Sequence, residues 1–501
     1  MTDSLTSDRP VRVRFAPSPT GALHLGSAFV ALANAAFARA TGGAFVLRID
    51  DTDRARSTEG DALDLVRLLR WLDIGWDEGP FYQHERSDLY AEALERLGAS
   101  GGAYPCFCTE ARLAQLREQQ VANGEPPRYD GRCRTLPPTE VAKSLAAGAP
   151  HVLRLALPAG RDVVIDDLLH GPVTVPAGAY GDPVLRRADG SVGYLHTTVV
   201  DDAALEITHI LRGDDHLTNS ARQVLLFEAL GVAGDRLPKF AHLPLLRDET
   251  GAKLSKRAPL GTLDELVDAG YLPVTVRRYL AELLGQDAVD PLAPSAAPFQ
   301  LALVGTGAPR VDRARLDSLG RQDIAQLPIE DLLADIGGPL DGVAAAALVR
   351  ELAEASATTV ELRGELRIVF DGPGSGDLEV ILAAAAPDGA TRASFEIAFA
   401  AATTWLRDLV ELEGAGGRAG EDAAAHAKTA VREFRAIAKQ NGAPLRSLLH
   451  PLRLAWTGRG SGPGLDLILA AIGPRDALGR VQRARTVLEG IPAGGGERQH
   501  G

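Results

Sequence analysis

Cysteine, lysine and long apolar runs are all scarce in this chain, and each scarcity excludes something. Three cysteines among 501 residues cannot frame a disulfide-stabilised fold, and an odd count argues against an oxidising compartment. No apolar stretch approaches the roughly 20 residues that a bilayer-spanning helix needs, so no membrane partner is expected. The first ten residues are polar, carry Asp3 and Asp8 and hold no apolar core, so no secretory signal and a cytoplasmic location are expected. Only six of the 53 basic residues are lysine, so any lysine cluster stands out against an arginine background.

What is present is ordinary for a globular protein: 45% of residues are hydrophobic and 24% charged. At roughly 150 residues per domain the length predicts about three domains. The formal net charge of −13, taken alone, argues against a nucleic-acid binder. Its distribution does not. From Lys428 to Arg485 eleven Lys/Arg accompany only Glu433, Asp466 and Asp476, a local net of +8 that leaves −21 for the remainder. A large acidic enzyme with one basic face has this polarity, as does a plain solvated helical surface.

The stretch Val11–Phe15 alternates and is β-branched, Ala16–Gly21 is dense in turn formers, Ser27–Ala40 is an alanine-rich run of helical length, and Ala44–Ile49 reads as a second strand. Strand, turn, helix, strand is a βαβ unit, the start of a doubly wound α/β domain. Between about Tyr104 and Pro150 the pattern breaks into Cys-, Pro- and Gly-rich segments, an insertion. Strand-like segments return at Tyr194–Val200 and Leu205–Leu211, a helical run follows at Ser220–Leu230, and from about Leu260 helix predominates. Asp371–Asp377, with three glycines, reads as a linker or long turn, and 491–501 as a flexible tail.

Three constellations carry chemistry. The first βα turn holds Pro17-Ser-Pro-Thr-Gly21 and then His24-Leu-Gly-Ser27; a helix N-terminus there favours a phosphate, and Gly26 permits its close approach. Lys253-Leu-Ser-Lys-Arg257 places two of the six lysines within four residues, flexible point charges able to follow a phosphate. Cys106, Cys108 and Cys133 all fall within one 28-residue stretch whose thiolates suit tetrahedral zinc, ordinary buried thiols being the alternative.

Taken together, the first two constellations resemble the His-Ile-Gly-His and Lys-Met-Ser-Lys-Ser signatures of class I aminoacyl-tRNA synthetases. The segments Arg14-Phe-Ala-Pro-Ser-Pro-Thr-Gly21, Leu47-Arg-Ile-Asp-Asp-Thr-Asp-Arg54, Trp76–Pro80, Gln83–Arg86, Val200-Asp-Asp202, Ile207–Arg212, Ala241–Pro244 and Pro451–Gly458 are similar to the bacterial glutamate–tRNA ligase family. The resemblance implies a Rossmann-type catalytic domain (11–103 and 194–258) with an acceptor-stem-binding insertion (104–193). A stem-contact helical region (259–335), an all-helical anticodon-binding region (336–490) and a tail (491–501) would follow. It implies ATP with Mg²⁺, L-glutamate and tRNA(Glu) as partners, a glutamyl-adenylate intermediate and a monomer. His24, Lys253 and Lys256 would be catalytic, with Pro17, Thr20, Gly21, Gly26, Ser27 and Ser255 completing the ATP site. Arg14, Ser18, Asp50, Tyr194, Thr198 and Arg212 would form the amino-acid pocket. Asp50 stands where bacterial members of the family usually have Glu. Structural zinc would sit on the three cysteines, with Tyr129 or water as the fourth ligand because Thr135 replaces a family histidine. Arg446, Arg453 and Arg480 are expected on the tRNA-facing surface. The alternatives are a synthetase-like paralogue with an altered substrate, a specialised copy serving a dedicated pathway, which would be chemically identical, and a silent regulatory protein, against which intact His24, Lys253 and Lys256 argue.

Overall fold

The computed structural model describes residues 9–19, 21, 23–53, 59–158, 160–176, 181–255, 258–336, 343–414, 429, 432–440 and 444–492. Thr20, Lys256 and all of the tail beyond residue 492 lie outside the described residues. Strand β1 (Arg12–Phe15) runs through the proline-rich turn into α1 (Leu25–Thr41) and back into β2 (Ala44–Ile49). Alanine-rich composition favours α1, whose N-terminus is capped by the ring of His24 and whose C-terminus is closed by Gly42 at φ +63°. β2 pairs in parallel with β1, Val13 opposite Phe45, and β3 (Glu78–Tyr82) adds to its other side after α2 (Glu59–Trp71).

The chain next forms α3 (Ser87–Ala99) and enters the insertion. There β4 (Ala103–Cys106), β5 (Val152–Leu155) and β8 (Val184–Arg186) make an antiparallel sheet, while β6 (Val163–Asp167) and β7 (Gly171–Val175) form a hairpin. Helices α4 (Glu110–Ala122) and α5 (Pro138–Ala146) lie between β4 and β5 in sequence. After α6 (Tyr194–Ala204), the strand β9 (His209–Gly213) returns beside β1, where Thr208 N–H donates to Arg12 O at 2.9 Å. Helix α7 (Leu217–Ala229) leads to β10 (Lys239–Leu243), parallel to β9, and the β6–β7 hairpin extends that sheet in the order β7-β6-β10-β9.

The chain thus winds outward from β1 through β2 and β3, then returns to β1's other flank as β9. That reversal is the topological switch point at which open α/β sheets form their crevice. The fold expectation from sequence is met here. One element differs: Tyr194–Val200, which reads as a strand, is the first part of helix α6. Thr197, Thr198, Val199 and Val200 favour strands in isolation, but all four are buried, and packing on every side overrides intrinsic preference.

Two compact units emerge: Met1–Asp268 with Pro273–Leu316, and Ala269–Leu272 with Asp317–Gly501. The division at Leu316 falls inside the expected 259–335 region. The second unit is helical, with a core that includes Leu348, Leu366, Phe399, Leu452 and Val481. Asp371–Asp377 contains the tight turn between helices Thr359–Asp371 and Ser375–Ala385.

Within this unit Arg480 departs from expectation. It is 2% exposed, and its guanidinium donates to Val369 O and Trp456 O at 2.6 Å each, to Phe370 O and to Asp476. A side chain that closes three backbone carbonyls at the ends of two helices is structural, not a tRNA-facing charge. Arg453 is half-buried and donates to Pro463 O at 2.5 Å, whereas Arg446 is exposed. Arg480→Glu is therefore expected to destabilise the second unit by several kcal/mol, since each orphaned buried carbonyl costs about 1–3 kcal/mol. Arg446→Glu should leave the thermal midpoint almost unchanged, and a melt of both variants checks the contrast.

Candidate active site

The switch point opens into a cleft of about 340 Å³. Its walls bring together Arg14, Pro17, Ser18, Gly21, His24, Gly26, Ser27, Asp50, Tyr194, Arg212 and Lys253 from the expected set, side chains up to 239 positions apart. Ser255 is exposed and Thr198 is buried within α6; neither lines the cleft. Thr198 lies one helical turn beyond Tyr194 on the same face of α6, and its Oγ1 is buried without a hydrogen-bond partner.

Local structure explains the side of the cleft that holds His24. His24 is the N-cap of α1, its Nδ1 accepting the Ser27 N–H at 3.1 Å. A ring whose Nδ1 is an acceptor carries its proton on Nε2 when neutral, so His24 can donate from Nε2. The backbone is stitched to the far side: Leu25 N–H donates to Gly261 O at 3.3 Å and Leu263 N–H to Leu23 O at 3.0 Å. The two signature segments therefore share one framework. Across the cleft Lys253 follows a short hairpin closed by Leu254 N–H to Leu246 O at 2.9 Å, and its Nζ pairs with Asp215 at 3.0 Å in an exposed contact.

The opposite side is a buried charge network. Arg48 is fully buried and bridges Asp50 (Nε–Oδ1 2.6 Å) and Asp202 (Nη1–Oδ1 2.6 Å), and Arg14 Nε donates to the same Asp202 oxygen at 3.1 Å. Asp201 accepts from Gln83, Arg86 and Tyr90 at 2.7, 2.7 and 2.8 Å. Burial works against the charge on Asp202, but Arg14 and Arg48 outweigh it and hold the carboxyl below its ordinary range. At Asp50 burial prevails over the pull of Arg48, and its pKa is pushed up to about 6. Arg212 is 6% exposed, and burial lowers its pKa to about 10. Among the described residues no carboxylate pairs with it, and its Nη1 is buried without a hydrogen-bond partner.

The family model for the class I tRNA synthetase (E and Q) catalytic domain matches residues 10–289. The chain belongs to the glutamate–tRNA ligase family. Glutamate–tRNA ligase 1 of Halorhodospira halophila is 37% identical over 499 residues, covering 96% of this chain and 98% of that one. Glutamate–tRNA ligase 1 of Gluconobacter oxydans is 38% identical over 484 residues, with 94% and 97% covered. The crystal structure of a glutamate tRNA ligase from Elizabethkingia meningosepticum in complex with its amino acid is similar at a TM-score of 0.80 and 26% identity, covering 96% of this chain and 100% of that one. An anticodon binding domain matches residues 418–485. Among the described residues no helix is long and apolar enough to cross a membrane.

In this member of the family the three insertion cysteines do converge, their sulfurs all within 4.8 Å of one another. Tyr129 Oη lies 3.3 Å from Cys106 Sγ and 3.6 Å from Cys108 Sγ. Three thiols and a phenol oxygen on one small volume are a donor set that fits tetrahedral zinc. Arg112 Nη1, 3.3 Å from Cys108 Sγ, would offset part of the charge of three thiolates.

The motifs assign no role to Arg48, Asp215 and His216 on the cleft wall or to Asp202, Ser220 and His242 behind it. A usable signal existed for two of them. Arg48 is the one polar residue of β2 and His242 lies among the apolar residues Phe240, Ala241 and Leu243 of β10, where a buried charge or imidazole must have a partner. Arg48→Met is expected to cost about 3–5 kcal/mol, because three buried carboxylates lose a shared cation. Those carboxylates then bind protons more tightly folded than unfolded, so the deficit relative to wild type should shrink as pH falls from 8 to 5. Urea midpoints at both pH values check the sign.

Proposed function

We propose that the protein attaches glutamate to tRNA(Glu) at the expense of ATP through a glutamyl-adenylate. The observation that carries this reading is the convergence, in one cleft, of phosphate-directed donors on one wall and paired fixed charges on the other. A glutamate carboxylate oxygen attacks the α-phosphorus of Mg²⁺-bound ATP and pyrophosphate leaves. A ribose hydroxyl at the tRNA's 3′ end then attacks the acyl carbon and AMP leaves. No protein nucleophile is required, so catalysis is positioning and electrostatic stabilisation.

In this reading the Gly26 N–H at the start of α1 and His24 Nε2–H meet the phosphate, with Lys253 neutralising the charge that grows on it. Lys256, outside the described residues, takes the same role by its place in the signature. Asp50 receives the substrate ammonium, and Arg14 and Arg212 its two carboxylates. The two arginines are not equivalent: Arg14 is already committed to Asp202, whereas Arg212 has charge and a nitrogen to spare. The exposed arginines of the second unit, Arg446 among them, would contact tRNA phosphates. Zinc held by Cys106, Cys108, Cys133 and Tyr129 would lock the insertion's chain crossings and take no part in adenylation.

Purified protein given ATP, labelled glutamate and total tRNA should charge only glutamate-accepting tRNA; absence of charging rejects the reading. His24→Ala and Lys253→Ala should each slow charging by about 100- to 1000-fold, the usual size of one lost transition-state donor, with tRNA binding retained. Metal analysis should give about one zinc per chain, lost in Cys108→Ser, as expected for a structural thiolate site. Three freely titrating thiols in a metal-free, fully active protein would reject the zinc site.

A further inference from the structure

Behind Arg212 runs a buried polar chain that the proposed chemistry does not use. Arg212 Nη2 donates to Ser220 Oγ at 2.5 Å, and Ser220 Oγ lies 2.9 Å from His242 Nε2. His242 Nδ1 lies 2.6 Å from Asp167 Oδ2, and Arg212 Nε approaches His242 Nε2 at 3.4 Å. Ser220 and His242 are fully buried and Asp167 is 4% exposed. Asp167 also accepts the N–H groups of Leu169 and His170 at 2.9 Å each and of His242 at 3.1 Å.

The proton positions follow from satisfaction. Burial opposes the charge on Asp167, but the hydrogen bonds from His242 and the backbone outweigh it, so the carboxylate stays ionised. Burial likewise disfavours a charged His242 and keeps its ring neutral. An ionised Asp167 can only accept, so His242 carries its proton on Nδ1 and presents a bare Nε2. Ser220 then donates to Nε2 and offers its lone pairs to Arg212. Every donor points one way, from Arg212 to Asp167; the other tautomer would set a ring N–H against the guanidinium and two acceptors against each other. The arrangement resembles a Ser-His-Asp nucleophile set, but Ser220 is inaccessible and its oxygen is committed to Arg212, so it cannot attack a substrate.

We propose that Ser220, His242 and Asp167 are positioning residues for Arg212: they grip Nη2 and Nε and leave Nη1 to receive a carboxylate of the amino acid. A guanidinium is planar and rigid, so fixing two nitrogens fixes the direction of the third. This rests on the reading of Arg212 as a glutamate ligand. The grip would act on amino-acid binding, not on the phosphate chemistry across the cleft.

Steady-state charging by the full-length protein tests this. Ser220→Ala should raise KM for glutamate by about 10- to 100-fold, the size of losing one hydrogen bond to a charged group. The kcat and the KM for ATP should stay within about threefold of wild type, a split that a general loss of structure would not give. In an Arg212→Lys background Ser220→Ala should add little, because the residues act as one unit. A folded Ser220→Ala protein with unchanged glutamate KM, or additive effects in that background, overturns the proposal. If Ser220→Ala does not fold, His242→Gln, whose amide oxygen can still accept from Ser220, should be milder than His242→Leu by the same KM; equal effects overturn it. If Arg212→Lys itself leaves glutamate KM unchanged, the assignment of Arg212 fails instead, so the two failures are distinguishable.

Discussion

Three arginines and three aspartates share the buried space behind the cleft, and the catalytic half of the chain is arranged around keeping them paired. Arg14 and Arg48 come from neighbouring parallel strands, Asp201 and Asp202 from the last turns of α6, and Arg86 from the segment entering α3. Charges in a low-dielectric interior must find partners or pay a desolvation penalty of several kcal/mol each. That constraint docks α6 over the carboxyl ends of β1 and β2, and so brings Tyr194, at the start of α6, to the cleft wall. It also grades the wall electrostatically: Asp202 is held ionised by two guanidinium groups, while Asp50 is left at about 6 and responsive to a cation placed beside it.

The wall that carries His24 follows a different logic, one of backbone rather than side chain. The first signature turn is fastened to residues 261–263 by a β-bridge at Thr262 and by two backbone hydrogen bonds. The histidine signature and the chain just beyond the lysine signature therefore form a common strand-like strip, although more than 230 residues separate them in sequence. One wall is rigid through buried ion pairs and the other through shared peptide groups, and the ligand volume lies between.

Local pattern made β1, α1 and β2 legible because each has a clean period and clear punctuation. Tyr194–Ala204 was not legible, since four consecutive β-branched residues favour a strand until tertiary burial decides otherwise. Motifs made His24 and Lys253 legible, and the structure places both on the cleft. The roles of Arg48, Asp202 and His242 were hidden for a physical reason: Arg48 and Asp202 meet across 154 residues and His242 and Asp167 across 75, beyond any local window. Arg480 misled in the opposite sense, because a count of charges along a sequence cannot tell a solvated guanidinium from one that closes three buried carbonyls.

The β6–β7 hairpin belongs to the insertion by sequence, yet its strand β6 is hydrogen-bonded into the sheet beside β10. Asp167, at the end of β6, is the terminus of the chain behind Arg212. The insertion is thus not an independent module: exchanging residues 104–193 between relatives would transplant Asp167 along with everything else. A recombinant boundary at residue 193 would part Asp167 from His242 and β6 from its neighbour β10, so the hairpin and that strand have to be exchanged as one block.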